Sequence, residues 1–371
     1  MSSRGKNMAK FFALLFLLCG TALTNVHAFQ INPNKAEGDT QRASLAAFFE
    51  RWAVGGSERF ASHFKSANHE AISHAAFGCT ITNILECATT AGENRAPDAT
   101  LWGVRWNDDP PFRMRPSRAK CNYDITIRLN TQPTCWYALF TNAEKRALAG
   151  DRFGPGDALL YRSHFGDLQF LHAMASVDAE PPTATATATK ALMWAEFTWG
   201  IATHSFPRNK FIRDLGVAGL GEYFPGDQTA AVLLALGNPQ IQPHAERVSE
   251  AALGSLLHMV QDSFSKAHVE RTEPTGLECD GMPNTRQPGK IVRFQNYSQQ
   301  DGAKHDAEDA INALNFNLLE VQPSVTEVTQ VIVRLWRNKA PWPVAKQYVA
   351  CVFALSDLAQ NAGPGEKFRR D

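Results

Sequence analysis

Residues 254–268 read GSLLHMVQDSFSKAH and lie within a helix that we predict over residues 247–264. Apolar side chains recur there every three or four residues, which is the period of a helix that buries one face. His258 and Asp262 are four residues apart, so they share a face, one turn apart. Burying both would be costly without a partner. Either a metal ion or a hydrogen bond between the two side chains would satisfy them.

The same helical period recurs along much of the chain. It predicts further helices at residues 44–52, 70–85, 190–204, 303–319, 324–336 and 344–360. Ser324 is the expected N-cap of one of them. Strand candidates are few and short, at residues 123–129 and 291–294. We therefore expect an all-α (mainly α) fold, a multi-helix bundle with long loop insertions.

Three stretches are expected to be irregular. They are residues 92–116, 180–190 and 271–290, which are rich in residues typical of turns and loops. Threonine and alanine alternate in the second stretch after two prolines. This low complexity favours a surface linker over a strand.

The amino terminus has the composition of a signal peptide. Basic residues precede an apolar run at 11–18, which is too short to span a membrane, and small residues follow. We expect cleavage after Ala28, which makes residues 1–28 a signal peptide and 29–371 a single domain, secreted to the extracellular space or periplasm. A lipoprotein anchor at Cys19 is the alternative, although the residue before it is bulky.

The cysteine count fits an exported protein. Six of the seven cysteines follow residue 28, and an even number favours disulfides in an oxidising compartment. The plausible pairs are Cys79 with Cys87, Cys121 with Cys135, and Cys279 with Cys351. Other connectivities and buried free thiols stay open at this point.

Histidines with suitable neighbours occur in three more segments. They are His69, His164 with Asp167, and His305 with Asp309. We favour His164 as a metal ligand, with Asp167 holding a ligand histidine or a backbone amide. His172, beside apolar residues, is expected to be a core residue. Helices that each carry a histidine can bring them together in a bundle core, where metal sites are usually built.

These motifs together carry a family resemblance. The array comprises His69, Trp106-Asn107-Asp108, His164, His258, Asp262, His268, His305 and Asp309. In its order along the chain, it resembles the trinuclear-zinc family of bacterial phospholipases C and fungal single-strand-specific nucleases. The most specific motif is His258-x3-Asp262-x5-His268. The other motifs are weaker taken alone.

The resemblance implies a trinuclear zinc site in the core of the bundle. Asp262 would bridge two zinc ions, of which one is completed by Asp108, His164 and His258. The other would take His69 and the amine nitrogen and carbonyl oxygen of the first mature residue, here Phe29. The third zinc ion would take His268, His305 and Asp309.

Asp108 is our candidate to orient or deprotonate the attacking water, because it reaches the metal pair from a loop. The alternative is an aspartate that forms a turn before Pro110. Two zinc ions about 3.5–4 Å apart can stabilise both the attacking and the leaving oxygen of a phosphodiester.

The expected function is therefore that of a secreted zinc-dependent phosphodiester hydrolase, most simply a phospholipase C. It would cleave phospholipids to diacylglycerol and a phosphorylated head group, with transient membrane-surface contact and no transmembrane segment after signal removal. The 37 basic and 37 acidic residues cancel, so no broad positive field indicates a stable nucleic-acid partner. The alternatives are a single-strand nuclease, which the aspartate at position 309 favours slightly, and a non-catalytic zinc-stabilised protein.

Overall fold

The computed structural model describes residues 68–79, 95–114, 121–176, 181–308 and 322–371. Within these ranges the chain is mainly helical, which confirms the predicted fold class. The helices are α1 (Asn68–Phe77), α2 (Asp98–Trp106), α3 (Pro133–Leu148), α4 (Leu159–Phe165), α5 (Ala184–Ala202), α6 (Leu220–Tyr223), α7 (Ala230–Ala235), α8 (Ala245–Asp262), α9 (Gly302–Glu308), α10 (Val325–Arg337) and α11 (Trp342–Val352). Short 3₁₀ turns occur at Gln169–His172, Ile212–Asp214, Tyr297–Gln299 and Glu366–Phe368. The helix predicted at residues 44–52 lies outside the described residues.

Helix α8, which contains most of the stretch at 254–268, crosses α2 at backbone contact. A Cβ atom on Gly254 would overlap the carbonyl oxygen of Thr100, and one on Gly103 would overlap that of Ala251. Only glycine allows so close an approach of two backbones. The crossing places the carboxyl end of α2 against the face of α8 that carries His258.

Tryptophans join α2 and α8 to α5 in the core. The rings of Trp106 and Trp194 stack with centroids 5.6 Å apart. Trp194 Nε1 donates to Ser255 Oγ at 3.1 Å, and Trp106 Nε1 donates to the Leu233 carbonyl at 2.9 Å. Both of these buried indoles therefore have a hydrogen-bond partner, and their contacts hold α2, α5 and α8 together.

The surface linker predicted at residues 180–190 is wrong, because α5 begins inside it. Thr183 is the N-cap, and its side chain accepts a hydrogen bond from the Ala186 amide at 3.1 Å. Ala184, Thr187 and Ala188 are buried and follow helical spacing. Their small side chains make the apolar period difficult to recognise, while alanine has a high helix propensity.

The other loop and strand predictions are also partly wrong. Residues 92–116 contain α2, and residues 123–129 form no strand but contribute only an isolated bridge between Phe112 and Ile127. Strand β2 (Ile291–Phe294) matches the prediction and pairs antiparallel with β1 (Val269–Arg271). β1 begins directly after His268, so the strand pair follows the end of α8 closely in the chain.

Helices α10 and α11 follow the sequence prediction in part. Ser324 is the N-cap of α10, as expected, and forms a capping box with Glu327. The helix predicted over 344–360 is too long, since α11 ends at Val352. Beyond it the backbone pairs with β2, because the Ile291 amide donates to the Ala354 carbonyl at 2.8 Å.

Disulfides join Cys121 to Cys135 and Cys279 to Cys351, which confirms two of the predicted pairs. Cys79 is also disulfide-bonded, and its predicted partner Cys87 lies outside the described residues. No helix in the described part of the chain combines the length and apolar character needed to cross a membrane.

Candidate metal centre

Asp262, the last residue of α8, is a buried carboxylate that three imidazoles face. Its Oδ2 atom lies 2.9 Å from Nε2 of His258 and 2.9 Å from Nδ1 of His172. Its Oδ1 atom lies 3.2 Å from Nε2 of His69. Helices α1 and α8 and the turn at Gln169–His172 therefore meet at one side chain.

The nitrogen of each ring that points away from Asp262 is bound to a carbonyl oxygen. His258 Nδ1 lies 2.6 Å from the Val104 carbonyl, and His172 Nε2 lies 3.2 Å from the Asn107 carbonyl. His69 Nδ1 lies 2.7 Å from Oε1 of Gln261. Since a carbonyl only accepts, each of these nitrogens donates its N–H. In a neutral ring the other nitrogen then presents a lone pair toward Asp262, as metal-ligating histidines do.

Three donor atoms converge most closely. His172 Nδ1 and His258 Nε2 are 3.1 Å apart, and each is 2.9 Å from Oδ2 of Asp262. Lone pairs that face one another at this distance repel unless a proton or a cation lies between them. Donors on one tetrahedral zinc, with bonds of about 2.0–2.1 Å, are about 3.3 Å apart, so this set fits such an ion. These three residues form one of the groups that could hold a metal ion.

The charges of the metal-free cluster follow from burial and from the central carboxylate. Burial alone would raise the pKa of Asp262, but the surrounding imidazoles, His258 foremost, hold it well below its usual range. Burial lowers the pKa of His258. Burial opposes the charged form of His69 too, yet the Asp262 carboxylate raises the pKa of His69 from 6.5 to about 9. The raised pKa of His69 favours its protonated form when metal is absent.

Asp108 reaches the same cluster from the loop after α2. Its Oδ1 atom lies 3.7 Å from His172 Nδ1 and 3.9 Å from His258 Nε2. The neighbouring Asp109 has a different contact, since its Oδ1 accepts from the Leu129 amide at 2.9 Å. With 21 % of its side chain exposed, Asp108 connects the buried ligands to solvent.

Asn107 is the element of the Trp106-Asn107-Asp108 motif that fixes this loop. Its Nδ2 atom donates to the carbonyls of Leu171 and Ser255, at 2.6 and 3.2 Å. Its Oδ1 atom accepts from Ser255 Oγ at 2.7 Å. The side chain therefore joins the end of α2 to α8 and to the turn that carries His172.

His164 lies beside this cluster. Its ring centroid is 5.3 Å from that of His172, and its Nδ1 lies 3.1 Å from the Leu160 carbonyl. His164, Asp108 and His172 form a second group that could hold a metal ion. The described contacts of the Asp167 side chain include neither a ligand histidine nor a backbone amide, the two partners expected for it. It forms two hydrogen bonds with Arg162, at 2.8 and 2.7 Å.

His268 and His305 form a neighbouring pair with ring centroids 4.9 Å apart. His268 Nδ1 lies 2.7 Å from the His172 carbonyl and 3.6 Å from Oδ2 of Asp262. His305 Nδ1 lies 2.6 Å from Oε1 of Gln300. Two other predicted ligands, Phe29 and Asp309, lie outside the described residues.

The core role expected for His172 does not describe its position, because it contacts Asp262 directly. A spacing of eight residues would put His164 and His172 near one side of a single helix, but α4 ends at Phe165. A Cβ atom on Gly166 would collide with the Phe153 carbonyl, so the chain turns there and a separate 3₁₀ turn holds His172. The apolar residues beside His172 pack around that turn. The only feature of the sequence that could have indicated a ligand here is the histidine itself.

Comparisons with protein-family models, with curated proteins and with solved structures give no match to this chain. A function for this protein therefore has to come from its own residues. Its strongest chemical feature in the described ranges is the buried cluster of imidazoles and carboxylates around Asp262.

Proposed function

We propose that this protein is a secreted zinc-dependent phosphodiester hydrolase of the phospholipase C type. The observation that supports the proposal most is that residues from short motifs, widely separated in the sequence, lie together in one cluster. His69, Asp108, His258 and Asp262 contribute to one cluster, and His268 lies against it. A chance distribution of histidines over a mainly helical chain would not bring these particular residues together.

The cluster offers ligands for more than one ion. Oδ2 of Asp262 would join His258 and His172 on one zinc ion, while Oδ1 would join His69 on a second. His268 and His305 would contribute to a third, together with Asp309. Bound zinc would supply an activated water and neutralise charge on a phosphoryl group.

Asp108 would act on the water or the substrate. It is the most exposed carboxylate of the cluster, and it lies on the side where His164 is half-buried. We therefore expect a substrate to enter from the side of Asp108. Asp262, His258 and His69 are buried on the other side of the cluster. From this place the Asp108 carboxylate can orient a water and accept its proton.

Two further features support a secreted enzyme that acts on a lipid with a small polar head. The disulfides are typical of an oxidising compartment. A cavity of about 720 Å³ is lined by residues of both strands, β1 and β2, and by residues near the end of the chain. Its lining mixes basic and acidic side chains, which suits a zwitterionic head group better than a polyanion; they are Lys266, Arg271, Arg293, Lys367, Glu270, Glu273 and Glu366.

The deciding experiment compares two substrates. We expect the purified protein to release phosphocholine and diacylglycerol from phosphatidylcholine vesicles, to leave single-stranded DNA intact, and to lose activity in a chelator. Asp108→Asn should lower kcat by roughly 100-fold or more, the range of a lost general base. The matched control is Asp227→Asn, which changes an exposed aspartate paired with Arg213.

Cleavage of DNA alone would replace the lipid substrate with the nuclease alternative. A protein that retains its zinc but cleaves neither substrate would contradict the enzymatic proposal.

A further inference from the structure

Gln261 lies beside Asp262 on α8 and contacts His69 through a closed ring of hydrogen bonds. Its Oε1 atom is 2.7 Å from His69 Nδ1, and its Nε2 atom donates to Ser73 Oγ at 3.0 Å. Ser73 Oγ in turn donates to the carbonyl of His69 at 2.8 Å. Since the serine hydrogen is used by that carbonyl, Ser73 accepts from the amide. Gln261 must then present its oxygen to the ring.

Gln300 has the same relationship with His305. Its Nε2 atom donates to the carbonyls of Ala267 and Pro364, at 2.8 and 2.9 Å, which uses both amide hydrogens. Its Oε1 atom is 2.6 Å from His305 Nδ1. The two carbonyls fix the orientation of this buried amide, so only its oxygen can face the imidazole.

We infer that Gln261 and Gln300 are positioning residues that fix the Nδ1–H tautomer of His69 and His305 and thereby direct both Nε2 atoms toward metal. Each glutamine accepts the Nδ1 hydrogen through an oxygen that its other hydrogen bonds hold in place. The Nε2 atom of His69 then faces Asp262 at 3.2 Å. The inference rests on the metal role proposed above.

An amide has a specific consequence that a carboxylate in the same place would not have. A carboxylate accepts the ring hydrogen more strongly and adds negative charge beside Asp262 and Asp108. It would also stabilise the protonated form of the histidine, which competes with metal. A neutral acceptor orients the ring without increasing the charge of a site that already contains carboxylates.

The test compares near-isosteric variants by their zinc affinity, measured by competition with a chromophoric chelator. Gln261→Met and Gln300→Met remove the acceptor and should each weaken binding of one zinc ion by roughly 10–100-fold. Gln261→Glu and Gln300→Glu keep an acceptor and should bind closer to the wild type. The matched control is Gln132→Met, which removes a buried amide that forms three hydrogen bonds in the loop before α3. It should lose stability but not zinc affinity.

A second readout follows the rings directly. Nitrogen-15 spectra of histidine-labelled, zinc-loaded protein should show Nδ1–H for His69 and His305, and this signal should be lost or shifted in the methionine variants. If Gln261→Met does not fold, Gln300→Met and the spectra of the wild type decide. Zinc affinities equal to that of Gln132→Met, or Nε2–H rings in the wild type, would overturn the inference. A wild-type protein that binds no zinc would instead overturn the proposed function.

Discussion

The Nδ1 atom of His172 lies 2.9 Å from Oδ2 of Asp262, although the two residues are 90 positions apart in the chain. The 3₁₀ turn that ends at His172 is followed by Ala173 in a left-handed conformation, with φ of 50°. This turn directs the ring toward α8, where its outer nitrogen binds the Asn107 carbonyl. His172 therefore has the two features of a metal-ligating histidine, a fixed tautomer and an inward lone pair.

The first prediction concerns the zinc content. The wild type should contain about three zinc ions per chain by elemental analysis, and His172→Ala should lose at least one of them because it removes a donor beside Asp262. Asp262→Asn should lose more, since both oxygens of Asp262 face histidines. His204→Ala is the control, because that exposed histidine pairs only with Glu246 among its described contacts. Full zinc content in His172→Ala would return His172 to a packing role.

The sequence predicted the fold class and the main motifs because both depend on local patterns. The four-residue spacing of His258 and Asp262 puts them on one helical face wherever the helix packs. The position of His172 was not predictable in this way, because it depends on the chain turning at Gly166 against Phe153. Such close tertiary contacts have no periodic signal in the sequence.

The same limit applies to α2 and α5. Helix α2 lies in a stretch rich in turn-forming residues, and its helical form is stabilised by packing on α8 through Gly103. The Thr-Ala run of α5 has a buried face made of small side chains, so its hydrophobic pattern is weak. Asp109 likewise pairs with Arg128, which is 19 positions away in the chain. Each outcome depends on distant residues.

The second prediction concerns the crossing of α2 and α8. Gly254→Ala should force the two backbones apart, because its Cβ would overlap the Thr100 carbonyl. We expect a loss of about 1–3 kcal/mol in the free energy of unfolding. We also expect weaker zinc binding, since Asp108 and His258 lie on the separated elements. Gly226→Ala, with no atom near its added Cβ, is the control. Equal stability of the two variants in urea would show that the crossing adapts without cost.

The third prediction concerns the amino terminus that the resemblance assigns to the site. If Phe29 is the first mature residue and its amine binds zinc, an added methionine should replace that amine with an amide nitrogen, which is a poor ligand. The extended form should keep its fold and the zinc ion at His268 and His305, but lose most of its activity. Equal activity of the two forms would mean that His69 shares its metal with another residue.

The last prediction concerns pH, on which the stability of the metal-free protein and the binding of zinc depend in opposite directions. In the metal-free protein, the folded pKa of His69 is about 9, above its ordinary value of 6.5. The protonated ring therefore stabilises the folded state below pH 6.5, and this contribution, about 3 kcal/mol at most, is lost as the pH rises toward 9. Zinc needs the neutral ring, so its binding strengthens over the same range.

Urea unfolding between pH 6.5 and 9 should show falling stability in a chelator and a smaller fall, or a rise, with stoichiometric zinc. His69→Gln should remove the metal-free slope. A metal-free protein that keeps its stability up to pH 9 would show that His69 is neutral in the cluster.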